Sequence, residues 1–323
     1  MRLLVTGAGG MLGSAFVREA RARGIEVLGV DREAMDVTDP SAVEQVVERW
    51  AGPGRAAVEV GVDGTAGGGR HGTTDWVVHC AAYTAVDRAE SDPDLAHDVN
   101  VEGTKNVARA AASVRAGTVY ISTDYVFDGE ARAPYPPDAP TGPLSVYGQT
   151  KLEGEAAARR AYTGAPACAD SRPLIVRTGW LYGERGRGFV QSILERGARG
   201  DRLRVVDDQV GGPTSVGTVV CAVLDLLDGA GDSPPPEVVH VADAGEASWR
   251  GLATEAFRIL GADQKIEGGT SIEFGASAVR PLYSVLDVSE TEQLLGRAMR
   301  PWRAVLREVL ETEALNRQGE IHQ

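Results

Sequence analysis

Short apolar runs alternate with amphipathic stretches through the first half of the chain. Arg2–Thr6 is apolar enough for a buried strand. It meets Gly7-Ala8-Gly9-Gly10-Met11-Leu12-Gly13 and then an amphipathic stretch to Arg23, with Gly24 as a helix stop. Ile25–Val30 reads as a second strand closing on Asp31-Arg32, which completes a βαβ unit. Asp39-Pro40 and Asp92-Pro93 each read as an N-cap followed by proline at the first helical position. They open helices to Trp50 and past Asn100 towards Val114. Strands are predicted at Trp76–Cys80, Gly117–Ile121 and Leu174–Thr178, and a helix from Val146 to about Arg160. Beyond residue 180 the alternation loosens. Helical spacing remains at Phe189–Gly197, Val216–Leu227, Trp249–Leu260 and Trp302–Leu310, and short strands at Arg204–Val206 and Val238–Val241.

This pattern predicts an α/β fold, a Rossmann-like doubly wound parallel sheet with a smaller, mostly C-terminal lobe. Residues 1–180 are expected to form mainly a dinucleotide-binding domain. Residues 181–323 are expected to form mainly a substrate-binding lobe, with some segments returning to the sheet. Gly52–Thr74, with its Gly67-Gly68-Gly69 cluster, and Tyr162–Ser171 read as inserted surface loops without a chemical motif. The polar Glu311–Gln323 run is expected to fray.

The 323 residues carry a net charge of −13, which argues against a nucleic-acid or anionic-membrane surface. An anionic small molecule would need local donors such as helix N-termini and placed arginines. No apolar run reaches the length of a membrane span, and Met1–Thr6 meets glycine too soon for a signal-peptide core. Cys80, Cys168 and Cys221 are scattered and odd in number, as expected in a reducing, cytoplasmic setting.

Gly7, Gly10 and Gly13 stand three apart between a strand and a helix. There glycine permits a tight turn, close approach of a pyrophosphate and close helix–strand packing, while the N–H groups of Met11 and Leu12 open the helix. Asp31 at the end of the second strand suits a ribose 2′-hydroxyl and favours NADH; Arg32 suits a 2′-phosphate and favours NADPH. The choice stays open. Tyr147 and Lys151, four apart, share one helix face. A nearby ammonium favours the phenolate and lowers the phenol pKa towards useful values. Thr123, after a buried strand, lies at the carboxyl edge of the sheet, where its hydroxyl can bond a carbonyl oxygen; Ser122 is its nearest rival.

With these segments, Cys80–Asp87, Ser122–Gly129, Pro143–Gly148, Thr150–Leu152, Arg177–Gly183, Asp208–Thr214 and Arg280–Leu286 resemble the dTDP-4-dehydrorhamnose reductase family of extended short-chain dehydrogenases/reductases. The resemblance spans about residues 1–310, apart from the two insertions. It implies hydride transfer from NADPH or NADH to C4 of dTDP-4-dehydro-L-rhamnose, within a nucleotide-sugar pathway for cell-wall polysaccharide. By position it implies a catalytic triad of Thr123, Tyr147 and Lys151, with Tyr147 the proton donor. It places Ala81, Ala82 and Tyr83 beside the cofactor, Asp36 and Val37 near its adenine, and Thr84, Tyr125 and Trp180 on the substrate side. Asn100 matches the asparagine that shapes the active site; Arg280, before a proline, is either a loop salt bridge or, because so acidic a chain needs a local donor, a clamp for the substrate pyrophosphate in competition with Arg185 and Arg187. Ser145 and Gly179 depart from the Asn and Ser common in relatives. Some members hold Mg²⁺ through glutamates at a dimer contact, so the resemblance leaves Mg²⁺ and a homodimer open, although the sequence itself does not identify those glutamates.

Cys80 reads as a buried strand-end residue rather than a nucleophile. His71, His79, His97, His240 and His322 show no metal-ligand spacing. Two alternatives stay open. One is a nucleotide-sugar epimerase or dehydratase that returns its hydride, with Asp124 and Asp128 as extra acid–base groups. The other is a non-catalytic NADP-binding subunit resembling that of methionine adenosyltransferase.

Overall fold

The computed structural model describes residues 1–52, 75–163, 171–183, 188–229 and 235–321, with side chains in the last helix described as far as Glu313. The two inserted loops, apart from their edges, fall outside these residues, as do Cys168, His71, His322, Arg185 and Arg187. Strands β1 (Arg2–Thr6), β2 (Glu26–Val30), β3 (Trp76–His79), β4 (Gly117–Thr123) and β5 (Pro173–Thr178) and a sixth strand, Val238–His240, form one parallel sheet. Its order is β2-β1-β3-β4-β5 and then the sixth strand. The order reverses at β1, so a crevice opens beyond the carboxyl ends of β1 and β3.

Alternate residues of each strand enter different cores, as a period of two requires when both faces are covered. Leu3, Val5, Trp76, Val78, Val119 and Ile121 pack with Phe16 of α1 (Met11–Ala22) and Val219 and Val223 of the helix Val216–Asp228. Leu4 and Val77 pack with Val43 and Val47 of α2 (Pro40–Ala51) and Val107 and Ala111 of a later helix, Gly103–Ser113.

The segment predicted as one helix from Asp92 is interrupted. It runs as α3 (Pro93–His97), a π-turn (Asp98–Glu102) and α4 (Gly103–Ser113). The extra residue in the π-turn accompanies burial of Asn100, whose side chain bonds outside the helix. Asp39 caps α2 through Ser41 N and Ala42 N, but Asp92 caps nothing. Its carboxylate stands instead 3.5 Å from the Tyr83 hydroxyl and 3.7 Å from Arg88. The last helix runs from Trp302 to Ile321, past the expected fraying point at Glu311. Good helix formers let a nucleated helix propagate beyond its core contacts.

Trp180, Tyr182, Val190, Leu252, Trp302 and Leu306 make a separate core after β5. Beside it Leu203–Val206 pairs in parallel with Ile266–Gly269.

A buried ion pair ties β5 to α5 (Val146–Tyr162), whose face against β4 carries the candidate site. Arg177 donates from Nε and Nη2 to the two Glu155 oxygens, each at 2.8 Å, and Ser122 Oγ donates to Glu155 at 2.6 Å. Both charged side chains are almost wholly buried, and Arg159 reaches Glu155 only at 3.7 Å. Arg177→Met should lower stability by about 3–5 kcal/mol, because it strands a buried carboxylate. Denaturant unfolding checks this, and Arg177→Met with Glu155→Leu should lose less than the single variant.

Candidate active site

The first βα turn is built for close approach of backbone. Gly7 has φ +63°, and a Cβ on Gly13 would stand 2.2 Å from Gly7 O. The cap of α1 is Gly10, which offers no side-chain bond to the first helical N–H groups. Gly10 N bonds Gly7 O and Ser14 N bonds Gly10 O, which leaves Met11, Leu12 and Gly13 as the donors of the helix end. The free N–H groups of this cradle suit the chemistry of a pyrophosphate. The turn is held against the exit of β3, where Ala81 N donates to Thr6 Oγ1 at 3.2 Å. Asp31, exposed, accepts Ala34 N at 3.0 Å through Oδ1 only. Arg32 is 82% exposed and 3.3 Å from Asp36, so its guanidinium is not fixed on either coenzyme. Asp36 is held below its usual carboxylate range, first by the Thr38 backbone N–H. Val37 is buried, with its carbonyl taken by Asn106.

The strand end and α5 bring the three central residues together. Thr123 closes β4, Ser145 caps α5 by accepting Gly148 N at 3.1 Å, and Tyr147 follows in the first turn. Serine and asparagine both cap well, so the departure at 145 keeps the helix start. Thr123 Oγ1 donates to Asp124 Oδ1 at 3.0 Å and accepts Tyr125 N at 3.2 Å. The Thr123 hydroxyl also acts on the Tyr147 phenol, in the sense that favours the phenolate. Ser122, one residue earlier, points its hydroxyl into the Glu155–Arg177 pair and away from this group.

Lys151 is buried, donates from Nζ to Ile121 O at 2.6 Å and lies 4.1 Å from the Tyr120 ring centroid. Burial pulls its ammonium down to about 7. Burial also pushes the Tyr147 phenol up to about 12, with the Thr123 bond opposing. The expected lowering of that phenol by Lys151 is therefore absent from this arrangement, in which the amine is turned to Ile121. Asn100 holds the neighbouring loop: Oδ1 accepts Tyr83 N at 2.8 Å, and Nδ2 donates to Tyr83 O at 3.1 Å and Thr150 Oγ1 at 3.0 Å.

Among the substrate-side residues, Tyr125 stands edge-on to Tyr147 with ring centroids 6.0 Å apart. Thr84 is exposed on the loop after β3. Arg280 makes a two-pronged pair with Asp87, at 3.0 and 2.6 Å, and its charge acts on the Tyr125 hydroxyl. Trp180 is elsewhere: it is buried in the second lobe, stacked 3.7 Å from Trp249, with its indole N–H unbonded. Sequence reasoning missed Trp249 and Asp124 as structural partners. Asp124 is buried, pushed up to about 6 by that burial, and receives Ser284 Oγ at 2.6 Å. A Cβ on Gly179 would lie 2.4 Å from its carboxylate, so Asp124 fills the space of the serine common there. Burial pushes the Cys80 thiol up to about 12, which suits a structural role. Among the described residues no group of three or more His, Cys, Asp or Glu side chains is placed to hold a metal, and no helix is long and apolar enough to cross a membrane.

A family model described as the RmlD substrate binding domain matches residues 1–315. The chain is 40% identical over 310 residues to a dTDP-4-dehydrorhamnose reductase of Streptomyces griseus, covering 95% of this chain and 92% of that one. It is equally 40% identical over 311 residues to a Streptomyces antibioticus protein named "Probable dTDP-4,6-dihydroxy-2-methyloxan-3-one 4-ketoreductase", covering 95% and 94%. The crystal structure of a Bacillus anthracis dTDP-4-dehydrorhamnose reductase in complex with NADP superposes with a TM-score of 0.82 at 31% identity, covering 96% of this chain and 99% of that one. The parallel sheet, the glycine turn and the Thr123–Tyr147–Lys151 group thus occur in a chain that belongs to the dTDP-4-dehydrorhamnose reductase family of extended short-chain dehydrogenases/reductases.

Proposed function

We propose that this chain reduces the C4 ketone of a dTDP-linked deoxy sugar, dTDP-4-dehydro-L-rhamnose to dTDP-L-rhamnose, using NAD(P)H. The observation that carries the reading is the juxtaposition of Thr123, at the end of β4, with Tyr147 in the first turn of α5, one turn before the buried Lys151. The relatives' names support the substrate class. The cofactor rests on the uncapped N–H groups of α1 and on the NADP complex of the Bacillus anthracis relative.

Met11, Leu12 and Gly13 hold the pyrophosphate, Asp31 or Arg32 the adenosine ribose, Asp36 and Val37 the adenine side, and Ala81–Tyr83 the nicotinamide side. The bound nicotinamide supplies the hydride. A phenol kept near 12 is protonated at neutral pH, the form a proton donor needs during ketone reduction. Tyr147 gives this proton to the carbonyl oxygen as the alkoxide forms. Thr123 turns its hydroxyl from Asp124 to the same oxygen, while Ser284 continues to satisfy the carboxylate. Lys151 follows as the positive charge beside the resulting phenolate. In this reading Arg280 and Trp180 keep the geometry of the substrate side rather than grip the sugar. The partner is a nucleotide sugar, and the work is done in the cytoplasm.

The equal identity to the Streptomyces antibioticus 4-ketoreductase favours one second reading, the C4 ketone of another dTDP-deoxy sugar. Coupled synthesis of dTDP-4-dehydro-L-rhamnose, followed by loss of nicotinamide absorbance with NADH and NADPH separately, tests substrate and coenzyme together. Stoichiometric consumption of the reduced nicotinamide excludes an epimerase or dehydratase. No reduction of any 4-keto sugar would leave the non-catalytic NADP-binding subunit.

Tyr147→Phe should leave coenzyme affinity unchanged and lower kcat by roughly 10²–10⁴, as removal of a general acid does. Wild-type turnover in that variant would sink the assignment. The lysine gives a pH test. Its pKa is about 7 in the folded chain and 10.5 in the reference state, so between these values the unfolded chain takes up a proton that the folded chain declines. Stability therefore falls as pH drops from 10.5 to about 7, and the burial penalty is complete below that. Lys151→Met should accordingly gain thermal stability over wild type across this window as pH is lowered, read from melting curves at several pH values.

A further inference from the structure

The Cys80–Asp87 and Arg280–Leu286 motifs meet in space, although the mechanism above uses little of either. Asp87 lies in the short helix Val86–Ala89, on the loop that leaves β3. Its Oδ1 accepts Arg280 Nη1 at 3.0 Å and Ala278 N at 3.1 Å, and its Oδ2 accepts Arg280 Nη2 at 2.6 Å. Arg280 Nη1 also donates to Ala278 O at 3.1 Å, so guanidinium and loop backbone are held as one unit. The arginine side chain is only 18% exposed, and the pair joins residues 193 apart in sequence. The guanidinium charge also acts on the Tyr125 hydroxyl, and Tyr125 stands edge-on to Tyr147. Just beyond, Leu282 O accepts Val210 N and Ser284 Oγ donates to Asp124.

We propose that Asp87 is a positioning residue of the reaction centre: by gripping Arg280 at the edge of the cleft it holds Tyr125 against Tyr147 and fixes the phenol's aim. The proposal rests on the reading of Tyr147 as proton donor. A lone exposed ion pair would contribute little. This one is two-pronged, and its carboxylate sits below its usual range, first through Arg280 and then through the backbone of Ala278 and Ser277. Its effect on the reaction runs through the geometry of Tyr125. An arginine that gripped the substrate pyrophosphate alone would not need Asp87.

The test is a double-mutant cycle in the full chain with saturating NADPH and dTDP-4-dehydro-L-rhamnose. Asp87→Asn and Arg280→Gln should each lower kcat, of the order of tenfold, with KM nearly unchanged. The double variant should be no worse than Arg280→Gln, since both remove one latch. In a Tyr125→Phe background, Asp87→Asn should cost nothing further, a coupling that a general loss of stability would not produce. Asp87→Glu, which keeps the carboxylate, should retain more activity than Asp87→Asn. Wild-type kcat in Asp87→Asn would overturn the proposal. So would losses that multiply in the double variant, or an Arg280→Gln defect confined to KM. If wild type reduces no 4-keto sugar, the functional reading fails by itself. The latch is then read by hydrogen exchange of residues 277–284 in the NADPH-bound protein: faster exchange in Asp87→Asn supports it and unchanged exchange overturns it.

Discussion

Helix α5 is fastened to β4 by polar contacts at successive turns, and the candidate site lies at one end of this seam. Tyr147 meets Thr123, Lys151 Nζ bonds Ile121 O, and Glu155 receives Ser122 Oγ. Tyr120 closes it by donating from its hydroxyl to Lys151 O at 3.1 Å. A period of four along the helix thus meets consecutive residues of a strand, which requires the two backbones to lie close together. The cost is several buried polar groups, each tolerable only because its partner is in place. A seam of this kind is rigid, and rigidity is what a proton donor needs, since its geometry must be right before substrate arrives.

Much of this was legible in the sequence because local chemistry dictated it. The buried strands could be read from apolar runs, and α2 from a proline after an aspartate whose side chain does cap. The glycine turn was legible for the same reason: its spacing serves backbone approach, a local requirement. Tyr147 and Lys151 were legible because four residues on a helix mean one face. The place of Thr123 at the carboxyl edge follows from the buried strand before it, but only the Glu155 partner shows where Ser122 goes.

What stayed illegible depends on residues far apart in the chain. The Asp92-Pro93 signal repeats that of Asp39-Pro40, yet its carboxylate found Tyr83 and Arg88 and left the helix uncapped. The π-turn around Asn100 has no local sequence mark; it exists because the Asn100 side chain satisfies Tyr83 and Thr150 at once. The balance of effects on the phenol is not legible from spacing. Proximity to a lysine suggested a lowering, but burial acts on both groups, and the amine chose a carbonyl. Charge proximity read from spacing gives the sign of one contribution, not the sign of the sum.

The second lobe shows how a single joint can orient a whole unit. Trp180 is the first residue after Gly179 at the exit of β5 and has φ +52°, a conformation that a bulky L-residue adopts only at a cost of about 1–3 kcal/mol. The cost is offset where the indole goes. It stacks within 4° of parallel on Trp249, fills the space that a Cβ on Gly211 would need, and joins the core of Tyr182, Leu252 and Trp302. Stacking contributes about 0.5–1.5 kcal/mol beyond burial, so neither term alone decides the conformation; the packed core around the ring does. The chain therefore turns from sheet to lobe at a residue that only the assembled lobe can hold in place. This same turn sets Gly179 against Asp124, the carboxylate that receives the proton of Thr123. The entry into the second core and the surroundings of the Asp124 carboxylate thus meet at one point of the backbone, which is why the composition of neither segment announces it.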